Sequence, residues 1–304
     1  MIVTKNNFIG IFLAVLYVLI GASQSVALNV WLRDQNTIFI IGFSFLIISF
    51  LFYFVSKFSG KNDYHLLKSC KGDLILLNVF SALNWIFYFL SVKFLVPSLA
   101  VTFIQGVGPL IMTVYMLFLG KKINIFTKIL NILIFITICY FSYHTFLNYY
   151  DYSSYNEHDA VWGLVMSLLC GASISASIVL SKKIASKGLS ATSLLSVRFF
   201  VLILFSIFYL FFTNGFNEIH LNAHTLFVVF IVSVLGVSLS IFVLQKGIEF
   251  TTPLVISTIL ALAPFTVFII ERIFLNKVGN LFSFSCLSLV VVFSVLSIYS
   301  NKRN

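Results

Sequence analysis

Charged residues are scarce in this sequence. Asp, Glu, Lys and Arg together make up 9% of its 304 residues, whereas 60% are hydrophobic. A water-soluble domain with this balance would have one continuous apolar surface, so the composition excludes a soluble fold. Apolar stretches long enough to cross a hydrocarbon layer follow one another along the chain. The sequence therefore predicts an all-α integral membrane protein.

Breaks between the apolar runs are short, and they separate ten runs. Each run is close to the roughly 20 residues of helix that span a hydrocarbon layer. The shortest break is at Val96-Pro97, where the proline favours the start of a new helix. The predicted transmembrane helices are residues 8–28, 36–56, 73–92, 97–119, 125–147, 160–181, 191–213, 222–245, 252–274 and 280–300.

Acidic residues are rarer than basic ones, which leaves a formal net charge of +10. Such a charge could indicate a nucleic-acid partner, so its distribution matters. With a cytoplasmic start, ten spans place fourteen Lys and Arg residues on the cytoplasmic side and four outside. This pattern predicts that both termini are cytoplasmic. Membrane topology then explains the positive charge. We therefore expect the lipid bilayer, and no nucleic acid, as a partner.

Cysteine is rare, and the sequence has no motif typical of metal or enzyme chemistry. The four cysteines contain no Cys-x-x-Cys pair, and no paired-carboxylate motif, nucleophile elbow or phosphate-binding glycine loop is present. His220 and His224 lie one turn apart near Glu218, but an exposed helix start explains that spacing. We therefore expect no metal, no cofactor and no enzymatic activity. A membrane-embedded transferase is the alternative of another class.

Proline occurs only four times, in two of the ten spans. Pro97 and Pro109 lie in the fourth span, and Pro253 and Pro264 lie in the ninth. A proline inside a helix removes a backbone hydrogen bond and bends the helix. The predicted kinks or hinges are Gly106, Gly108, Pro109 and Pro264.

A second landmark recurs with the same offset of five spans. The first span contains Gly21-Ala22-Ser23-Gln24-Ser25, and the sixth contains Gly171-Ala172-Ser173-Ile174-Ser175. We predict two five-helix repeats, residues 1–148 and 160–304, joined by an extracytoplasmic loop at 149–159. Because five is odd, the two repeats are inverted in the membrane. Inverted repeats are the basis of alternating access in many secondary transporters, so the repeat favours transport.

Polar residues are few inside the spans, and they are costly there unless they meet partners or water. In the third span Asn78, Ser81, Asn84, Trp85 and Tyr88 recur at spacings of three and four residues, on one face of a helix. Such a stripe could bond neighbouring helices or line a pathway for an amphipathic solute with an apolar or cationic part. The predicted substrate-binding residues are Tyr17, Gln24, Ser81, Asn84, Trp85, Tyr88, Gln105 and Arg198.

Arg198 is the only basic residue well inside a predicted span. It lies near the cytoplasmic end of the seventh span, where a long side chain can extend to the lipid headgroups. We favour that interpretation. The alternatives are a contact with a substrate carboxylate or with a carbonyl of a neighbouring helix.

The ten spans, the Gly-Ala-Ser motifs, the mid-helix prolines and the segment Val92-Lys93-Phe94-Leu95-Val96-Pro97-Ser98-Leu99-Ala100 resemble the EamA-type members of the drug/metabolite transporter superfamily. The resemblance implies a central cavity between spans one to four and six to nine. It places the fifth and tenth spans at the periphery, where a homodimer contact is possible. The chain departs from the family at Ile41-Gly42-Phe43-Ser44, where many members carry an arginine, and at Lys121, which replaces a common glutamate.

These patterns together predict a secondary transporter of small amphipathic metabolites, most simply an exporter of amino-acid-like compounds or drugs. The alternative is uptake of an organic cation, such as choline or S-adenosylmethionine, held by the faces of Trp85 and Tyr88. Frequent Ile, Phe, Asn, Lys and Tyr indicate AT-rich coding. Together with the compact ten-span organisation, that composition favours a multi-pass protein of the bacterial inner (plasma) membrane.

Overall fold

The computed structural model describes residues 5–31, 36–59, 63–149, 157–213, 215, 223–275 and 281–301. Every regular element in these ranges is helical. Ten helical segments are long and apolar enough to cross a membrane, which confirms the predicted all-helical membrane fold. Glu218, His220 and most of the predicted connecting loop lie outside the described residues.

Six of the ten spans are continuous α-helices. They are numbered in chain order, and their apolar sequences contain no proline. The first, second and third spans are Lys5–Trp31, Thr37–Phe58 and Lys71–Phe94, the last preceded by a 3-10 turn at Tyr64–Cys70. The fifth, sixth and tenth spans are Ile125–Tyr149, Glu157–Ala185 and Leu281–Asn301.

The other four spans are interrupted. The fourth consists of Pro97–Gly106 and Gly108–Phe118, and the seventh of Ala191–Val197 and Phe200–Phe212. The eighth has a π-helical turn, Val232–Ser238, between Ala223–Ile231 and Leu239–Phe250. The ninth consists of Pro253–Leu260 and Ala263–Leu275.

The breaks in the fourth and ninth spans occur at the two mid-span prolines. Pro109 and Pro264 are each the second residue of the helix that follows a break. Proline fits a first helical turn because the backbone N–H that it lacks would have no partner there. Whether these breaks act as hinges stays a prediction.

The predicted end of the eighth span, residue 245, was wrong by five residues. The helix continues to Phe250 and includes Glu249, which the sequence suggested as a loop residue. Lys246 and Glu249 form an ion pair of 2.8 Å one turn apart, and Lys182 donates to the Glu249 carbonyl at 2.8 Å. These contacts let charged residues continue the last helical turn.

The spans pack in pairs that relate the two halves of the chain. The first span packs against the eighth and ninth, and the sixth packs against the third and fourth. The second, fourth and fifth spans pack against the seventh, ninth and tenth, respectively. If each span is replaced by the span five positions away in the chain, every contact in this set becomes another contact of the same set. Two five-helix repeats would give this pattern; the repeats, their opposite orientation and the location of the termini stay predictions.

Close helix crossings set the width of the space between the halves. A Cβ atom at Gly171, in the sixth span, would lie 2.5 Å from the carbonyl oxygen of Ile104 in the fourth, so only glycine fits there. At the corresponding Gly21, in the first span, the nearest atom to such a Cβ is 3.9 Å away, on the ring of Tyr17. The two Gly-Ala-Ser motifs therefore have different structural roles. The second allows two helices to pack closely, whereas the first lies beside open space.

Candidate functional site

A cavity lies between the two halves, and six of the eight predicted substrate-binding side chains line it. Its walls come from the first, third, fourth, sixth and ninth spans. It is narrow, because the centres of water-sized molecules can occupy only about 40 Å³. Since one water needs roughly 10–15 Å³ by this measure, the cavity holds about three. The six side chains are Tyr17, Gln24, Asn84, Trp85, Tyr88 and Gln105.

The third span provides the aromatic wall. Asn84, Trp85 and Tyr88 follow one another at helical spacing and therefore face the same side. The ring of Trp85 lies 5.5 Å from that of Tyr88 in an edge-on arrangement and 4.8 Å from that of Phe45 in the second span. Contacts of this kind hold the indole in one orientation, so the wall is rigid. Cys170, from the sixth span, donates to the side-chain oxygen of Asn84 at 3.2 Å.

The first and fourth spans provide the amide groups. Gln24 is 5% exposed, and its side-chain oxygen accepts a hydrogen bond from Ser240 at 3.2 Å. Its Nε2 has no hydrogen-bond partner among the described residues. Gln105 lies one turn before Pro109, which has no N–H to offer the carbonyl of Gln105. The cavity is thus bordered by amide side chains, and that of Gln24 has a nitrogen without a partner among the described residues.

Apolar side chains complete the lining, and sequence reasoning missed them. They carry no chemical signal, since apolar residues are common throughout the spans. The proximity of Ala263 to Pro264, and the place of Ile174 within the Gly-Ala-Ser motif, were the available hints. The apolar lining consists of Val18, Gly21, Ala22, Val101, Ile104, Ile174, Ala263 and Val267.

Arg198 and Ser81, the other two predicted residues, contact each other beside the cavity. Arg198 Nε donates to Ser81 Oγ at 2.8 Å, and its Nη1 donates to Gln245 Oε1 at 3.1 Å. The arginine is only 5% exposed. The favoured interpretation, in which Arg198 extends to the lipid headgroups, was therefore wrong. Partners on the third and eighth spans hold the guanidinium inside the bundle, and Gln245 escaped notice because it lay at the predicted end of a span.

Asn78 bridges the break in the seventh span. Its side-chain amide donates to the carbonyl of Val197 at 3.0 Å and to that of Leu74 at 3.1 Å, and its oxygen accepts from the N–H of Val201 at 3.3 Å. The break at Arg198 frees these backbone groups of the seventh span from regular helical bonding. The inner part of the polar stripe thus bonds two helices together, as the structural alternative predicted.

Acidic side chains join the two halves at one end of the bundle, the end where the first span begins, which we call the inner end. Asp73 accepts from Lys183 at 2.7 Å and from Lys187 at 2.8 Å. This contact raises the pKa of Lys187 above its ordinary value. The ion pairs tie the third span to the end of the sixth.

Asp63 makes a second connection at the inner end. Its carboxylate accepts from the Ser190 N–H at 2.6 Å and from the Ser193 hydroxyl. Burial opposes its ionisation, but the hydrogen bonds from Ser193 and Ser190 together lower the pKa of the carboxyl below its usual value. The inner end is therefore closed by ionised groups that belong to both halves.

Comparison with known proteins agrees with this architecture. A model of the EamA-like transporter family matches residues 161–299. No curated protein sequence matches the chain. A protein of known crystal structure matches with a TM-score of 0.72 over 99% of each chain at 13% identity, which shows a shared fold. Residues 161–299 therefore resemble the EamA-like transporter family, in a chain whose ten apolar helices make it a multi-pass membrane protein.

Proposed function

We propose that this protein is a secondary transporter that moves small amphipathic metabolites by alternating access and exports amino-acid-like compounds or drugs. The family match indicates a membrane transporter of small molecules and favours transport over the transferase alternative. The observation that carries the finer proposal is the convergence of Tyr17, Gln24, Trp85 and Gln105, from three spans, on one cavity between the halves.

The lining suits a solute with both apolar and polar parts. The rings of Trp85 and Tyr88 offer flat apolar surfaces, and the amides of Gln24, Asn84 and Gln105 offer donors and acceptors. Among the described residues, no charged side chain lines the cavity. Orientation of the solute therefore depends on hydrogen bonds and on the aromatic faces.

Alternating access requires one end of the cavity to close while the other opens. The ties of Asp63 and Asp73 close the inner end, and the cavity lies nearer the outer end, since Gln105 is in the outer part of the fourth span. The fourth and ninth spans, which contain the breaks before Pro109 and Pro264, both contribute residues to the cavity wall. We propose that bending at these breaks, with rupture of the inner ties, opens the cavity inward.

Uptake of an organic cation is the second candidate, because Trp85 and Tyr88 present aromatic faces to the cavity. The same lining would bind the cation whichever way the protein transports it. Location in a bacterial inner membrane and a homodimer contact at the paired fifth and tenth spans remain part of the proposal.

The test is transport by purified protein in liposomes. A panel of labelled amino acids, drugs and quaternary ammonium compounds is loaded inside or added outside, and flux is measured with and without the protein. Flux of at least one compound that falls in Gln24→Leu but not in Ser23→Ala supports the proposal, since Ser23 is exposed and does not line the cavity. Absence of any flux, while a control carrier is active, contradicts it.

A further inference from the structure

Resting on the proposed function, we infer that Arg198 and Gln245 form a carboxylate-binding subsite at the inner side of the cavity, so that transported substrates carry a carboxylate group. The two side chains come from the seventh and eighth spans and meet beside the third. Unlike the cavity lining itself, this cluster carries a positive charge.

The charge of Arg198 is buried without an anionic partner. Within the described part of the chain, no carboxylate lies within 4.0 Å of the guanidinium, whose bonds go to a neutral hydroxyl and a neutral amide. Removing a charged group from water is unfavourable unless an opposite charge compensates. A substrate anion would supply the missing compensation, whereas a purely structural role would be served by a neutral side chain.

The neighbouring groups also lack acceptors. Arginine has five N–H donors, and two of those of Arg198 have hydrogen-bond partners among the residues that the structure describes. Gln245 is fully buried, its oxygen is taken by Arg198, and its Nε2 has no partner in the part of the chain that the structure describes. Gln24, which lines the cavity, has a second Nε2 without a partner among the described residues. Several donors in excess match a carboxylate, which only accepts hydrogen bonds.

The guanidinium lies within about one helical turn of the cavity. Ser81 precedes Asn84 and Trp85 by three and four residues on the same face of the third span, which corresponds to roughly one turn of 5.4 Å. A rotamer change of the long arginine side chain brings it from Ser81 to a carboxylate that enters the cavity.

An amino-acid-like zwitterion satisfies both parts of the site. Its carboxylate binds Arg198 and the amide nitrogens, while its ammonium or apolar part rests on the faces of Trp85 and Tyr88. A quaternary cation without a carboxylate would leave the buried arginine uncompensated. The subsite therefore separates the two transport candidates, amino-acid-like compounds and organic cations.

The experiment compares compounds in matched pairs, leucine with leucinamide and methionine with methioninamide, together with choline. Liposomes contain the wild type, Arg198→Gln, Arg198→Lys or the control Arg272→Gln, which removes an equal charge from the ninth span away from the cavity lining. We expect the wild type and the control to transport the carboxylate of a pair about tenfold or more faster than the amide. Arg198→Gln should abolish this ratio, and Arg198→Lys should retain part of it.

An unchanged ratio in Arg198→Gln, or transport by the wild type of amides or choline but of no carboxylate, would overturn the subsite while leaving the proposed function intact. No flux of any compound in the wider panel would contradict both. If Arg198→Gln does not yield a monodisperse protein, Gln245→Leu decides the question, because it removes an unpartnered donor and should lower the ratio severalfold. An unchanged ratio in that variant overturns the subsite.

Discussion

The inner and outer parts of the third span carry similar polar residues on one face, but their surroundings differ. Asn78 is engaged by the backbone of the seventh span, and Ser81 by Arg198. Asn84, Trp85 and Tyr88 border the cavity instead. One stripe thus combines a structural part, where hydrogen bonds are satisfied within the protein, and a part that faces space for a ligand. The predictions below test this division.

Replacement of the two asparagines by leucine should produce opposite phenotypes. Asn78→Leu leaves the buried carbonyl of Val197 and N–H of Val201 without their partner, so we expect the free energy of unfolding to fall by about 3 kcal/mol. Asn84→Leu loses only the weak bond from the thiol of Cys170 to the side-chain oxygen and should cost less than about 1 kcal/mol. Unfolding in mixed detergent micelles measures both effects.

Transport by the same variants provides the reverse comparison. Asn84→Leu, which is well folded by this prediction, should lose most of its flux in liposomes because an amide in the cavity wall is gone. Equal destabilisation by the two substitutions would show that the outer part of the stripe is as structural as the inner part.

Gln24 extends the comparison to the first span. Gln24→Leu removes the unpartnered cavity donor, and we expect flux to fall up to about tenfold, the effect of one hydrogen bond. The melting temperature should change little, since among the described residues the side chain of Gln24 loses one hydrogen bond, the one from Ser240. Ser23→Ala, next to it on the exposed face, serves as the control. A large loss of stability in Gln24→Leu with normal flux in the surviving protein would assign Gln24 to the structural group.

Asp73 tests whether the inner contacts act as a gate. Asp73→Asn removes the ion pairs with Lys183 and Lys187, which are partly exposed and therefore weak. We expect the inner end to open roughly two- to fivefold more often, with little loss of stability. Cys70, 1% exposed and one turn away, is the reporter, so its labelling by a maleimide should accelerate.

The labelling uses a background in which the other three cysteines are alanine. The neighbouring substitution Lys71→Gln, which leaves both ion pairs of Asp73 intact, is the control. A labelling rate of Cys70 that is the same with and without Asp73→Asn would argue against a gate at these ion pairs.

Asp63 should give the smallest effect, visible as a pH dependence. Because its folded-state pKa is lowered, its contribution to stability is present above the unfolded pKa of about 4 and is lost as the pH falls through the lower folded value. The carboxylate is partly exposed, so we expect a loss below about 1 kcal/mol. The melting temperature of Asp63→Asn should depend less on pH than that of the wild type measured in parallel. The measurements run from about pH 5 to about pH 3, a range that brackets the unfolded pKa. An identical pH profile in the variant and the wild type would contradict the assignment.

Much of the fold was accessible from the sequence because each span must satisfy its own backbone hydrogen bonds in lipid. The ten helices were located within a few residues, apart from the end of the eighth, where the pair Lys246 and Glu249 continues the helix. The break at Arg198 in the seventh span was not predicted, since no proline or glycine marks it. That break depends on Asn78, a residue more than a hundred positions away.

The candidate site was accessible only in part. Helical spacing identified the face that carries Asn84, Trp85 and Tyr88, because residues three and four apart share one side of a helix. It could not reveal that Ser81, on the same face, bonds to Arg198, or that Gln245 is the other partner. Residues such as Val267 are chemically silent until their position beside the cavity is known.

The sequence by itself determined the solvent, the number of membrane spans and the places where proline interrupts them, because hydrophobic length and backbone chemistry are local properties. The tertiary structure alone decided which polar groups find partners and which face a cavity. That choice depends on the helix that lies opposite each residue, and here the opposite helix comes from the other half of the chain.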